Sequence, residues 1–291
     1  MKIIIGLKEV VDTRLSLDFG LEHPVVFREG RPLLLNPDDA GALAMALRLK
    51  EPWPDAEIAL VSIGPESVEA YLRQGLSLGA DTAVRLWWED MDEPSPYLKA
   101  KLLAKTVSLI GADLVITGAG SLDTASGQVG PMLAARLDRP CVSAVTRLES
   151  GDQDGLTLIR DIGKGAREKV CCPLPAVITV KGEGKLPYAS LEKLMASREK
   201  EIKVLSPADM GIPEAELKDE PARAAGLSFP RPRTKKVTTP ASSLPAFDRI
   251  LKLLEGGIAR RRGLILSGSS AELAAKLLAL LEEEGRLPPA R

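Results

Sequence analysis

The sequence predicts an α/β fold: a doubly wound, mostly parallel sheet with a C-terminal docking arm. Three observations carry that expectation. Runs of strand composition alternate with helix-period segments through the first half of the chain, which calls for parallel strands covered on both faces. Later strand-like runs follow one another with no helix between them. Beyond Leu205 the composition turns to proline, charge and small residues before a short apolar unit closes the chain.

MKIIIGL opens the chain as a strand over 2–7. A hairpin over 25–35 leads to Asn36-Pro37-Asp38-Asp39, which starts a helix over 38–50. Asn stands at the N-cap, Pro at the first helical position and carboxylates in the first turn, where the dipole favours them. Asn36 carries two readings, helix cap and ligand contact, because this helix start lies at an end of the sheet where open α/β folds bind ligands. A strand over 57–63, a helix over 66–78 carrying Val68, Leu72 and Leu76, a strand over 82–86 and a helix over 95–110 continue the rhythm. Strands over 113–117 and 142–148 follow, and then short runs over 156–161, 168–172 and 176–180 that suggest an antiparallel edge or hairpin.

Between the strand ending at Thr117 and the next helix lies GAGSLDTASGQVGP. Gly118 and Gly120 permit a sharp turn, and Ser126 is read as the N-cap of a helix carrying Met132, Leu133 and Leu137. The amides of Gly127, Gln128 and Val129 would then point at an anion such as a phosphate. Ordinary turn-and-cap punctuation is an equal reading of the pattern alone.

The domain division is a nucleotide-binding unit over 1–205, an arm over 206–262 and a terminal strand and helix unit over 263–291. In the last, Ser269 and Glu272 form a capping box before Leu273, Leu277, Leu278 and Leu281. One strand and one or two helices cannot bury that surface alone, so the unit is expected to dock on the main domain or on another chain.

Composition narrows the function. Forty acidic residues against 39 basic ones leave no global field to attract nucleic acid or an anionic membrane. The cluster Arg231, Arg233, Lys235 and Lys236 has only Phe229 near it for stacking. The single histidine, His23, removes most triad, proton-shuttle and metal mechanisms, so no catalytic or metal site is expected. Lys8 and Asp123 remain as candidates for an adenylating enzyme, though a strand-end charge and a loop cap explain them. Cys141, Cys171 and Cys172 are read as core thiols of a reducing compartment, and no window reaches the length of a membrane span, which gives a cytoplasmic expectation.

Several segments together resemble the β subunit of electron-transfer flavoproteins over roughly residues 1–210: GLKEVVDT, LNPDDAGALAMALRLKE, VSIGP, LRQGLSLGADTAV, LDTASGQVGP, LPAVITV and PYASLEKLMAS. The resemblance implies an adenine-nucleotide α-hydrolase-like domain that pairs with an α subunit and helps hold the flavin adenine dinucleotide (FAD) that carries electrons from a flavin dehydrogenase. The QVGP loop looks more like the bifurcating or nitrogen-fixation subgroup, whose β-subunit nucleotide can be a second FAD, than like the mitochondrial type, which holds adenosine monophosphate (AMP).

By that likeness the nucleotide contacts are Gly6, Asn36, Asp38 and Ile63, with a phosphate cradle of Gly118, Asp123, Ser126, Gly127, Gln128, Val129 and Gly130. Ala119, Gly120 and Ala125 depart from the family's usual basic residue, glutamine and carboxylate, which implies altered affinity or nucleotide identity. The stretch containing Glu183, Leu186 and Tyr188 resembles the family's partner-recognition loop, against the alternative of a plain surface turn. Glu183 stands where relatives carry an anchoring leucine. A carboxylate entering the same dry pocket would cost about 1–3 kcal/mol or more, so the resemblance implies a different redox partner. A free-standing ATP- or AMP-binding regulatory domain of the same fold is the alternative function.

Overall fold

The structure, a computed structural model, describes residues 1–15, 31–51, 53–88, 94–151, 155–182, 186–218, 240–254 and 265–283. They belong to two compact units, Met1–Phe229 and Pro230–Arg291.

In the first unit, β1 (Lys2–Leu7) lies mid-sheet with Ile3, Ile4 and Ile5 buried in succession, as a strand covered on both faces requires. β4 (Glu57–Ile63) and β6 (Leu114–Gly118) flank it in parallel. Beyond β4 come β5 (Thr82–Leu86) and β11 (Ile202–Leu205); beyond β6 come β10 (Ala176–Val180) and β7 (Cys141–Gly151), all parallel. β8 (Gly155–Gly163) and β9 (Ala166–Pro173) finish that side by antiparallel pairing. Among the described residues the order is β11-β5-β4-β1-β6-β10-β7-β8-β9. The fold class is as the sequence predicts, with two differences of detail.

β10 is not part of the antiparallel edge. All five of its residues are buried, so it lies between β6 and β7 in the parallel core while β8 and β9 loop out and return. Of the hairpin expected over 25–35, residues 25–30 lie outside the described residues. Its last part, β3 (Leu33–Leu35), pairs with β2 (Glu9–Val11).

Helices cover both faces. α1 (Pro37–Leu49) packs Leu43, Ala46 and Leu49, and α2 (Glu69–Leu78) packs Leu72 and Leu76, on the face carrying Ile3, Ile5, Leu60 and Ile116. α3 (Pro96–Ile110) and α4 (Val129–Leu137) cover Ile4, Val61, Val84 and Val115. Ser95 caps α3 by accepting from the Leu98 amide at 3.2 Å, and Gly111 ends it at φ 77°. α5 (Leu191–Glu199) leads into β11. The start of the expected arm continues on this body: Met210 and Ile212 are buried in the α3 layer, and Glu216 of the short helix α6 (Glu214–Lys218) pairs with Lys101. Cys172 alone of the three cysteines is buried. Cys141 and Cys171 are exposed, so two are not core thiols, because alternate residues of these sheet-margin strands face solvent.

The second unit contains α7 (Ala246–Leu254) and α8 (Ser270–Glu283). The expected capping box is present: the Glu272 amide donates to Ser269 Oγ and the Ser269 amide to Glu272 Oε2, at 3.4 and 3.0 Å. The strand expected over 263–266 is absent at Ile265 and Leu266, while 263 and 264 lie outside the described residues. Phe247, Ile250, Leu253 and Leu254 on α7 and Leu277 and Leu278 on α8 are half or more exposed.

Candidate functional site

Chain order places the site. From β1 the sheet grows outward through β4 and β5, then returns to lay β6 on the other side of β1. A topological switch point therefore lies between β1 and β6, and the crevice beyond the carboxyl ends of such strands is where open α/β sheets receive ligands. Gly6 and Gly118 lie at those ends, and Ile63 ends the neighbouring β4, with its preceding residue Ser62 opposite Leu7.

The loop over 119–128 overhangs this crevice and is fixed largely by the start of α1. Asn36 is buried at 2% exposure. Its Nδ2 donates to the Gly120 carbonyl at 2.8 Å, and its Oδ1 accepts from the Leu122 amide at 3.1 Å. Asn36 occupies the N-cap position without a side-chain cap bond. Of its two readings the cap is therefore not realised, because the side chain is spent on the loop. Asp38 accepts from the amides of Gly120 and Gly182 at 3.2 and 2.9 Å. Asp39 accepts from those of Lys8 and Gly118, both at 2.8 Å. A side chain on Gly118 would run into Asn36, Asp38 and Asp39, so glycine there lets helix and loop approach.

From the other side, Lys8 Nζ bonds both oxygens of Asp123 at 2.9 and 2.7 Å. This ion pair accounts for both candidates of the adenylating reading. Burial pushes the Asp123 carboxyl up, but hydrogen bonds from Lys8 and Ser121, the Lys8 charge and the Thr124 amide outweigh it and leave the group below its ordinary value. Burial also dominates at Asp39 and pushes it up to about 7, against hydrogen bonds from Asn36, Lys8 and Gly118 and with the nearby Asp38 charge adding to the rise.

Ser126 is not the cap of α4. Ala125 and Gly127 are left-handed, at φ 49° and 61°, so the helix cannot begin until Val129, with Gln128 at its N-cap. Residues 124–128 are exposed. Among the described residues, the amides of 126–130 donate to no other group. Pro131 brings no amide of its own. These free N–H groups at a helix N-terminus form a neutral donor set suited to a phosphate. Gly130 differs from the expected role of backbone contact alone: a Cβ there would collide with Thr179 and Thr117, so it seats α4 on β6 and β10. Beneath it Thr117 Oγ1 is buried without a partner among the described residues. An orphaned hydroxyl under an anion-binding helix start fits an anionic ligand better than a closed apolar core.

The structure thus brings Gly6, Ile63, Gly118, Asp123 and 126–130 to one edge, with Asn36 and Asp38 behind the loop. It adds Asp39 and Thr117 and gives Lys8, a candidate only of the adenylating reading, a place beside Asp123; the signal of the two additions in the sequence is a second acid in a helix start and a polar residue at the end of an apolar run. Leu186 packs partly buried on the α1 and α2 layer, Tyr188 is fully exposed, and Glu183 lies outside the described residues. Among the described residues no group of His, Cys, Asp and Glu could hold a metal ion, and no helix is long and apolar enough to cross a membrane.

Residues 25–210 match the electron transfer flavoprotein domain. The chain is 32% identical over 234 residues to the electron transfer flavoprotein subunit beta of Thermoanaerobacterium thermosaccharolyticum, covering 79% of this chain and 88% of that protein. It is 29% identical over 289 residues to the subunit of the same name from Bacillus subtilis, covering 99% and 100%. It is also 31% identical over 218 residues to subunit CarD of the caffeyl-CoA reductase-Etf complex of Acetobacterium woodii, covering 74% and 82%.

Proposed function

We propose that this chain, which belongs to the electron transfer flavoprotein family as a β subunit, holds an adenine nucleotide by its phosphate in the β1/β6 crevice and works beside an α subunit in passing electrons from a flavin dehydrogenase to an acceptor. The observation that carries the nucleotide reading is the row of unpartnered amides over 126–130 at the switch point.

Each named residue has a part in this reading. The amides of Gly127, Gln128, Val129 and Gly130 bind phosphate oxygens, and Thr117 Oγ1 adds a donor beneath them. Asn36, Asp38, Asp39 and the Lys8–Asp123 pair hold the loop in the one shape in which those amides converge. Gly6 and Ile63 leave room and an apolar wall for the remainder of the nucleotide. FAD bound in the complex supplies the redox chemistry, and this chain contributes position rather than bond-breaking. The apolar residues of α7 and α8 serve docking to the α subunit, and the stretch with Glu183, Leu186 and Tyr188 serves contact with the dehydrogenase.

Denaturing the purified complex and identifying the released nucleotides by mass spectrometry tests the reading. AMP, or FAD at two equivalents per heterodimer, is the expected result. A colourless homo-oligomer releasing ATP or AMP would replace it with the regulatory-domain alternative.

A further inference from the structure

We infer that the 126–130 cradle takes its phosphate as a singly charged diester, the form present in the pyrophosphate of a dinucleotide, and discriminates against the doubly charged monoester of a mononucleotide. The inference rests on the nucleotide reading above and names the class of ligand for that same site.

The loop divides into amides that are spent within the protein and amides that are not. Those of Gly118 and Gly120 go to Asp39 and Asp38, and that of Leu122 goes to Asn36. That of Thr124 goes to Asp123, and those of Ala119 and Ala125 go to the carbonyls of Val180 and Ser121 at 2.7 and 2.8 Å. Over 126–130 none is spent among the described residues. Beneath them the orphaned Thr117 Oγ1 lies 3.0 Å from the place a Cβ on Gly130 would take, in a residue only 7% exposed. The donors offered to a ligand are therefore backbone N–H groups and one hydroxyl, all of them neutral.

The charged side chains around the loop supply no compensating cation. Lys8 is held on both oxygens of Asp123, Arg14 on both oxygens of Asp12, and Lys181 on Asp161, so each of these cations already faces a carboxylate. Asp38 and Asp39 stand behind the loop, and Glu9 on β2 adds a buried carboxyl that accepts from Ser67 Oγ. Asp39, pushed up to about 7 by burial, still carries part of its charge at neutral pH. What attracts an anion here is the N-terminus of α4, equivalent to about half a positive charge. That suits one negative charge better than two. A phosphomonoester loses its second proton at about pH 6, so at neutral pH it brings a second charge that meets no cation and is repelled by Asp38. A diester carries one charge throughout and keeps two non-bridging oxygens for the amides.

The test uses two probes that share adenosine and differ in phosphate charge: AMP, and the methyl ester of its phosphate, which is singly charged throughout. Each is titrated into the full chain, labelled with ¹⁵N-glycine, assembled with its α subunit and stripped of nucleotide. The amide signals of Gly127 and Gly130 report binding at this site alone. At about pH 5.5 the two affinities should agree within about twofold, because AMP is then mostly singly charged. At about pH 7.5 the ester should bind tighter on the order of tenfold. Titration of Asp39 affects both ligands alike, so the ratio reads the phosphate. AMP that binds as tightly as the ester at the higher pH, or an ester preference that is the same at both, overturns the charge selection and leaves the nucleotide reading intact. Glycine signals that neither probe moves at millimolar concentration overturn both.

Discussion

Replacing Asp39 should cost more stability than its place as a second acid in a helix start implies. The side chain is 5% exposed and accepts two backbone amides, from Lys8 and Gly118, at the ends of β1 and β6. Asp39→Ala leaves both part-buried amides without their acceptor, at about 1–3 kcal/mol each. Against this, the variant recovers the cost of burying a carboxyl, which the rise of its pKa to about 7 reveals. A net loss of about 2–4 kcal/mol follows.

The pH dependence has a definite sign. The folded value of about 7 lies above the ordinary carboxylate value of 3.8, so the contribution of Asp39 is fully present below 3.8 and declines as pH rises toward 7. The stability gap between wild type and Asp39→Asn, which does not titrate, should therefore shrink from acid to neutral pH and level off above it. Equilibrium urea unfolding of the full chain at several pH values measures this. A gap that widens with pH, or an Asp39→Ala cost under about 1 kcal/mol, would refute the reasoning.

Two further outcomes concern the same loop. Lys8→Met leaves Asp123, whose pKa now lies below its ordinary value, without its cation. The variant should be less stable at neutral pH by about 1 kcal/mol. The gap should close as acid protonates the carboxyl, and urea unfolding that shows a constant difference would contradict the pairing. Gly130→Val places atoms where Thr117 and Thr179 already stand, so it should lower the melting temperature and the nucleotide retained by the purified complex together. Full retention at an unchanged melting temperature would show that α4 does not seat as described.

The sheet was legible because its strands are nearly unbroken apolar runs: IIIG in β1, IALVSI in β4, LVIT in β6. Helix bounds were legible where a local signal marks them, as Ser95-Pro96 and Gly111 do for α3. The start of α4 was not. Serine at 126 has the chemistry of a cap, but left-handed turns at Ala125 and Gly127 exclude it, in a loop whose preceding residues are tied to Asn36, Asp38 and Lys8, which are distant in sequence. For the same reason Asn36 reads locally as a helix cap while its partners lie 84 and 86 residues away. The place of β10 is not legible locally, because spacing between neighbouring strand runs reveals a hairpin whereas reinsertion between β6 and β7 depends on what else needs covering.

The interlock at Gly118 bears on how this sequence can change over generations. A Cβ at 118 would overlap the Asp39 carboxylate and press tightly on Asn36 and Asp38, so replacing Asp39 alone would still leave two close contacts. A lineage can leave glycine there only by first surrendering the polar ties that shape the loop, and each such intermediate loses the loop before gaining anything. Position 118 should therefore be frozen by its neighbours rather than by any ligand, and in a random library tolerated changes there should arise only alongside compensating changes in α1.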